Sequence, residues 1–310
     1  MTAESRAERP LVILGPTASG KSALAIEVAQ KIGRCEIVSV DSMAVYKRMD
    51  IGTASPNAAD LKKVPHHLIN LVDPSEEFTV GAFKRLAVDA LAGIRARNNT
   101  PILVGGTGLY LRAVVDDLKL PGRYPEVVAA LDNETSSEAL HARLAQLDPL
   151  AAARMEPSNR RRVLRALEVT IGSGTPFSSC GPGLEHYGPT PFVMLALRWP
   201  PEMLEERISS RFQAQLAAGF LAEVEALAAN KTSRTAAQAL GYREFLAHLA
   251  GECTFDEALI TAIQRTRKFS RRQQRWFRRD PRVVWVDAPT SAGALCELWD
   301  QHRKLPVGSL

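Results

Sequence analysis

The apolar run Leu11-Val12-Ile13-Leu14, the segment Gly15-Pro16-Thr17-Ala18-Ser19-Gly20-Lys21-Ser22 and the helical pattern Ala23-Leu24-Ala25-Ile26-Glu27-Val28-Ala29 confine this chain to a narrow set of folds. Strand, glycine-bounded loop, Lys-Ser and helix together form the context of a P-loop. The glycines let backbone N–H groups turn inward around phosphate oxygens, and the helix N-terminus adds partial positive charge. Lys21 brings a mobile cation to the terminal phosphates, and Ser22 offers a hydroxyl to Mg²⁺. The loop leaves open whether those phosphates belong to a nucleotide or to another diphosphate.

Further strands are expected at 36–40 and 102–104, each ending in a turn rich in Gly, Asp or Ser, with helices at 22–32 and 80–97 between them. Alternating strands and helices imply a parallel sheet with right-handed crossovers. Ligands then sit at the carboxyl ends of the strands, where Gly15, Asp41 and Gly105 fall. The alternation breaks after Asp117. Residues 124–171 read as helical, with Pro125, Pro149 and Pro157 marking starts and stops, and 172–191 as a loop rich in Gly, Ser and Pro. A strand pattern resumes at 192–199. Pro200-Pro201-Glu202 opens a helix whose buried stripe is Leu204, Ile208, Phe212 and Leu216, with Arg207 and Arg211 on another face; Val283-Val284-Trp285-Val286 is a final strand. The expected fold is therefore α/β, a P-loop parallel-sheet core built from 1–118 and 192–310, with an all-helical insertion at 119–191.

Hydrophobic residues at 45% and charged residues at 24% of 310 are ordinary for a soluble globular protein. No apolar run approaches the ~20 residues of a membrane span. Met1 to Arg9 reads as a short disordered lead, without the apolar stretch of a signal peptide. Cys35, Cys180, Cys253 and Cys296 form no C-x-x-C pair, which argues against a zinc site or disulfide framework and fits a reducing cytoplasm. The net charge of +5 is concentrated: Arg265, Arg267, Lys268, Arg271, Arg272, Arg275, Arg278 and Arg279 fall in one stretch, and Arg160, Arg161, Arg162 and Arg165 in another. Either run alone reads as a solvated helix face. Two of them beside a phosphate loop point to a polyanionic partner, nucleic acid rather than a membrane, since neither carries a broad apolar face.

Asp41 ends its strand beside the P-loop and has three readings: a water-mediated Mg²⁺ ligand, a general base, or a cap for the following turn. Ser42, Tyr46 and Asp50 follow in the same loop. On the next strand, where many P-loop ATPases carry a Walker-B acid, stand Gly105-Gly106-Thr107-Gly108. Either backbone approaches a neighbour closely there and Thr107 donates to a phosphate or bridging oxygen, or the glycines serve only a tight strand-to-helix turn; a conventional ATPase is weakened by the missing acid. His66 and His67 are adjacent on an extended segment, point to opposite faces and cannot chelate one metal together.

In this order the segments resemble the tRNA dimethylallyltransferases. The resemblance rests on the 15–22 loop, on Asp41-Ser42-Met43-Ala44-Val45-Tyr46-Lys47 running on to Met49-Asp50-Ile51-Gly52-Thr53-Ala54, and on Pro65-His66-His67-Leu68. It continues through Gly105-Gly106-Thr107-Gly108-Leu109-Tyr110, Arg162-Val163-Leu164-Arg165-Ala166-Leu167-Glu168-Val169, Gln238-Ala239-Leu240-Gly241-Tyr242-Arg243-Glu244 and Arg271-Arg272-Gln273.

The resemblance implies that Gly15, Pro16, Thr17, Ala18, Ser19, Gly20, Lys21 and Ser22 hold the diphosphate of dimethylallyl diphosphate, with Mg²⁺ on Ser22, instead of ATP. The acceptor would be N6 of the adenosine next to the anticodon. Asp41 would be the general base, Thr107 would lie at the diphosphate and tRNA contact, and Arg211 would hold the diphosphate. The anticodon stem-loop would be touched by Asp41, Ser42, Met43 and Ala44, by Thr107, by Arg161, Arg162, Val163, Leu164 and Arg165, by Gln238, Gly241, Tyr242 and Arg243, and by Arg271, Arg272, Gln273, Arg275 and Arg278. A cytoplasmic monomer without membrane association is expected. An exocyclic amine is a weak nucleophile, so such a transfer needs a stabilised leaving group, a base, and an adenine drawn out of its stack. Ala44 stands where the family usually carries Gln, and Val128 where it carries Arg, so that this tRNA contact is either absent or supplied by Arg123. The zinc finger of some eukaryotic relatives is missing, as in a bacterial-type enzyme. Two other functions fit parts of the sequence. A P-loop small-molecule kinase accounts for the loop and Asp41 but leaves the basic runs unused. A nucleotide-dependent RNA-binding module leaves Asp41 and Thr107 without a task.

Overall fold

Unbroken apolar runs such as Leu11–Leu14 suit strands that are covered on both faces, and here they form a six-stranded sheet. In the computed structural model, which describes residues 9–304, the strands are β1 (Leu11–Leu14), β2 (Cys35–Val40), β3 (His66–His67), β4 (Thr100–Gly105), β5 (Val193–Arg198) and β6 (Val283–Asp287). All pairs are parallel, in the order β3-β2-β4-β1-β5-β6. The lead at 1–8 lies outside the described residues. Arg9, expected to belong to that lead, is instead buried, its guanidinium donating to the carbonyls of Thr190 and Phe192 at 3.2 and 2.6 Å.

Alternate residues of β1 enter opposite cores. Leu11 and Ile13 join a layer closed by the helices Lys21–Ile32 and Ala292–Arg303 through Leu24, Val28, Leu295 and Trp299. Val12 and Leu14 face a larger layer that includes Phe83 and Leu91 of the helix Val80–Ala96, with Ile208 and Phe212 of the helix Pro201–Ala217. The stripe of that last helix departs from the expected one. Gln215 is buried beside Leu216, which packs half-buried against the same core, because the Gln215 amide donates to the carbonyls of Ile51 and Gly52 at 2.6 and 2.9 Å. The basic stretch lies on a helix, Phe255–Arg278, opened by a capping box of Thr254 and Glu257.

Two compact units result, one made of the chain up to Asp116 and from Gly188 onward, the other Asp117–Tyr187. In the second, helices Pro125–Asp132, Ser137–Leu147, Pro149–Ala153 and Arg160–Ser173 enclose Leu140, Leu144, Val163 and Leu167. On the core side of the junction, the buried Arg282 donates from Nη1 to both Asp116 Oδ1 and the Gly188 carbonyl, each at 2.6 Å, while Nε and Nη2 bind Asp280.

Candidate active site

Strand register assembles the site. Gly105 pairs with Leu14 of β1 and with Val40 of β2, so the residues after each strand, Gly15, Asp41 and Gly106, emerge side by side at one edge of the sheet. Gly105 itself has no space for a side chain, since a Cβ would run into the Val40 carbonyl. Gly20, with φ of 82°, takes a left-handed conformation that an L side chain resists and turns the chain into the Lys21–Ile32 helix. These features bring the sequence-predicted loop, base candidate and glycine turn into one place.

Around the loop, cations converge. Lys21 Nζ donates to the Pro16 carbonyl at 3.3 Å. Arg211 donates from Nη1 to Thr17 Oγ1 at 3.0 Å and from Nη2 to the Gly52 carbonyl at 3.1 Å. Arg207 donates to the Ala18 carbonyl at 2.8 Å while its guanidinium stacks 4.4 Å from the Trp199 ring, whose indole N–H in turn holds the Ser19 carbonyl. Burial pulls the Lys21 ammonium down to about 8, opposed by the Asp41 carboxylate and reinforced by Arg211. Burial also presses the Arg211 guanidinium down, and Asp41 again opposes it. Both cations thus sit within the field of one carboxylate. A cleft of about 570 Å³ opens beside them, lined by Gly20, Lys21, Ser22, Ala54, Arg207 and Arg211 among others.

Asp41 Oδ1 accepts from the backbone N–H of Met43 at 2.8 Å and of Ala44 at 3.3 Å, so the capping reading holds for that oxygen. Among the described residues no donor reaches Oδ2. Thr107 Oγ1 accepts from the Ser42 N–H at 3.2 Å, which ties the glycine turn to the Asp41 loop. Ser22 is exposed at the first turn of its helix. Ser19 Oγ is buried beside Gly15 and has no partner among the described residues. Among the described residues no group of three or more His, Cys, Asp or Glu side chains could hold a metal ion. His66 and His67 serve structure: His66 Nδ1 meets the Val64 carbonyl, and His67 joins Arg97 and Asn99 on buried Glu36, whose carboxyl is held down to about 2, chiefly by Arg97.

A family model described as IPP transferase matches residues 44–280, and another described as Isopentenyl transferase matches 9–76. The chain belongs to the IPP transferase family. It is 44% identical to a tRNA dimethylallyltransferase of Kineococcus radiotolerans over 97% of this chain and 98% of that one, and 44% identical to one of Streptomyces coelicolor over 92% of each. Among solved structures it resembles a tRNA isopentenylpyrophosphate transferase from Bacillus halodurans, with TM-score 0.70, 35% identity and 95% of both chains covered. It also resembles a eukaryotic dimethylallyltransferase acting on tRNA, with TM-score 0.79, 27% identity and 97% and 81% covered.

In this IPP transferase several residues expected at the tRNA surface are placed elsewhere. Gln273 is 8% exposed and its amide is spent inside the core, accepting from the Thr17 N–H and donating to the Gly106 carbonyl. Tyr242 is buried, its hydroxyl donating to Glu223 at 2.6 Å, and Gly241 is buried against Phe220 and Phe212. Val163 is a core residue of the helical unit, whereas Arg161 and Arg162 beside it are exposed. Arg165 is used internally, donating to the Pro121 carbonyl and pairing with Glu168 at 2.7 Å. Arg271 and Arg272 are exposed, Arg271 also pairing with Glu205 at 2.6 Å; Arg275, Arg278, Gln238 and Arg243 are exposed too. Sequence reading missed Gln215 and Glu223. Glu223 accepts from the N–H groups of Asp50, Ile51 and Gly52 at 2.8 to 3.0 Å, holding the Asp50–Thr53 turn against the site. No local pattern marks either residue, because the backbone groups they hold, at 50–52, lie more than a hundred residues away.

Proposed function

We propose that this chain moves the dimethylallyl group of dimethylallyl diphosphate to N6 of the adenosine next to the anticodon of a tRNA, working as a cytoplasmic monomer. The observation that carries the reading is the placement of one carboxylate, Asp41, in the shared field of Lys21 and Arg211 at the mouth of a phosphate loop. Cations on one side favour a diphosphate leaving group, and a carboxylate next to them is positioned for the proton that the amine sheds. In this reading the C1–O bond of the donor breaks, the N6–C1 bond forms, and the proton passes to Asp41 Oδ2, the oxygen not engaged by Met43 and Ala44. Lys21, Arg211 and the loop amides take up the charge that develops on the diphosphate. Thr107 holds the acceptor side in register through Ser42.

The Ser22 hydroxyl, exposed at the first turn of its helix, is a hard oxygen donor that fits Mg²⁺ bound largely by water and diphosphate oxygens. When bound there, the ion would add charge neutralisation to the leaving group. The anticodon stem-loop would lie along Arg271, Arg272, Arg275 and Arg278 of the Phe255–Arg278 helix and along Arg161 and Arg162 of the insertion. Those two arginines stand in the first turn of the helix Arg160–Ser173, where the helix dipole disfavours cations and an anionic partner relieves the conflict. No helix among the described residues is long and apolar enough to cross a membrane.

Relatives matched over nearly their full length are tRNA dimethylallyltransferases, which disfavours the small-molecule kinase that the phosphate loop alone allows. The deciding experiment supplies unmodified tRNA with either labelled dimethylallyl diphosphate or γ-labelled ATP. Label should pass from dimethylallyl diphosphate to the adenosine. Phosphate moving from ATP, with no prenyl transfer, would sink the reading.

A further inference from the structure

Two glycine-rich turns must hold a fixed separation for any transfer between them, since one carries the donor phosphates and the other leads into Thr107. A single side chain bridges them. Gln273 Oε1 accepts from the Thr17 N–H at 2.9 Å, and Gln273 Nε2 donates to the Gly106 carbonyl at 2.9 Å. Its orientation is forced, because a backbone N–H can only donate and a carbonyl can only accept. The space is equally committed: a Cβ on Gly106 would collide with Gln273 Nε2, and one on Gly108 would collide with the Trp276 indole, one helical turn further along. Thr17 is at the same time held by Arg211 through its hydroxyl. Next to Gln273 on the same helix, Arg271 and Arg272 are exposed.

We propose that Gln273 is a positioning residue for the transfer, an inference that rests on the transferase reading above. It fixes the distance between the phosphate loop and the Thr107 turn, and it does so from the helix whose outer face carries the basic residues. It touches neither donor nor acceptor. A neutral carboxamide of this length supplies an acceptor for Thr17 and a donor for Gly106 together. Ionised glutamate offers two acceptors and repels the Gly106 carbonyl, whereas protonated glutamate restores one acceptor and one donor.

Full-length Gln273→Met and Gln273→Glu enzymes, with unmodified tRNA and dimethylallyl diphosphate, test this in single-turnover reactions. At saturation Gln273→Met should react about 10–100-fold more slowly, the scale of a small misplacement of reacting groups. Its affinities for a thiolodiphosphate donor analogue and for tRNA should stay within about threefold of the parent. The rate of Gln273→Glu relative to the parent should rise about tenfold from pH 8 to pH 6 as the buried carboxyl takes up its proton. A saturated Gln273→Met rate within twofold of the parent, or a loss confined to tRNA affinity, would overturn the proposal. If Gln273→Met does not fold, a pH-independent rate ratio for Gln273→Glu overturns it alone. Hydrogen exchange at the Thr17 amide separates this from the function itself. Exchange should quicken about tenfold or more in Gln273→Met, which offers the Thr17 N–H no carbonyl acceptor, and unchanged protection would discard the bridge even if the parent transfers no prenyl group.

Discussion

At the residue scale, the roles proposed for Lys21 and Asp41 each answer to a different measurement. Lys21 must be charged to hold a diphosphate, yet burial lowers it from an ordinary 10.5 to about 8. Donor binding favours the ammonium, so the proton is taken up on binding when pH lies above that value. Affinity for a thiolodiphosphate analogue should therefore be flat below pH 8 and weaken about tenfold per pH unit above it. Calorimetry at pH 8 in buffers of different ionisation enthalpy should register uptake of about half a proton. Lys21→Met should abolish both effects. For Asp41→Asn, donor and tRNA binding should stay within a few-fold while single-turnover transfer falls by about 10²–10⁴, the usual loss for a general base. A near-parental single-turnover rate would return Asp41 to the capping role that its Oδ1 already fills.

At the scale of elements, the phosphate loop, the strand-end acid and the glycine turn were legible because each is written in consecutive residues with a local signature. The basic helix was legible only as charge. Which arginines are committed to structure depends on partners far off in sequence: Arg265 holds buried Glu244 at 2.6 Å, and Arg267 and Arg271 share Glu205. Buried Gln273 sits within that same run, invisible to any pattern of sign or hydropathy, because its partners Thr17 and Gly106 lie on other elements. Reversing charge at Arg271 and Arg272 together should weaken tRNA binding and reduce the slope of log affinity against log salt by about two, one counterion for each lost phosphate contact. Affinity for the donor analogue should remain unchanged. Filter binding from 50 to 300 mM salt would measure it, and an unaltered slope would mark the pair as a solvated face.

For the whole molecule, the break in α/β alternation after Asp117 was readable, but the position of the junction was not. Arg282 sets it, gathering Asp116 and the Gly188 carbonyl onto one guanidinium. Replacing 117–187 with a short Gly/Ser linker should leave a folded core that binds the donor analogue within a few-fold, because the two ends are already neighbours. The same protein should lose tRNA affinity by orders of magnitude, measured by filter binding, if the helical unit grips the anticodon arm. Near-parental modification of tRNA by the shortened chain would reduce the insertion to decoration.

The sheet order also dictates the order in which the protein can be finished as it leaves the ribosome. β1 is flanked by β4 and β5, and β5 is synthesised only after the entire insertion. At synthesis rates of about 5–20 residues per second that interval is roughly 5–20 s. Throughout it, β2, β3 and β4 have been made, and the most apolar strand of the sheet is its open edge. Such an edge is a template for pairing with other chains. The helical unit, which has its own core of Leu140, Leu144, Val163 and Leu167, emerges during that same interval. The nascent enzyme is therefore most vulnerable to aggregation before residues 193–198 arrive to cover Leu11–Leu14.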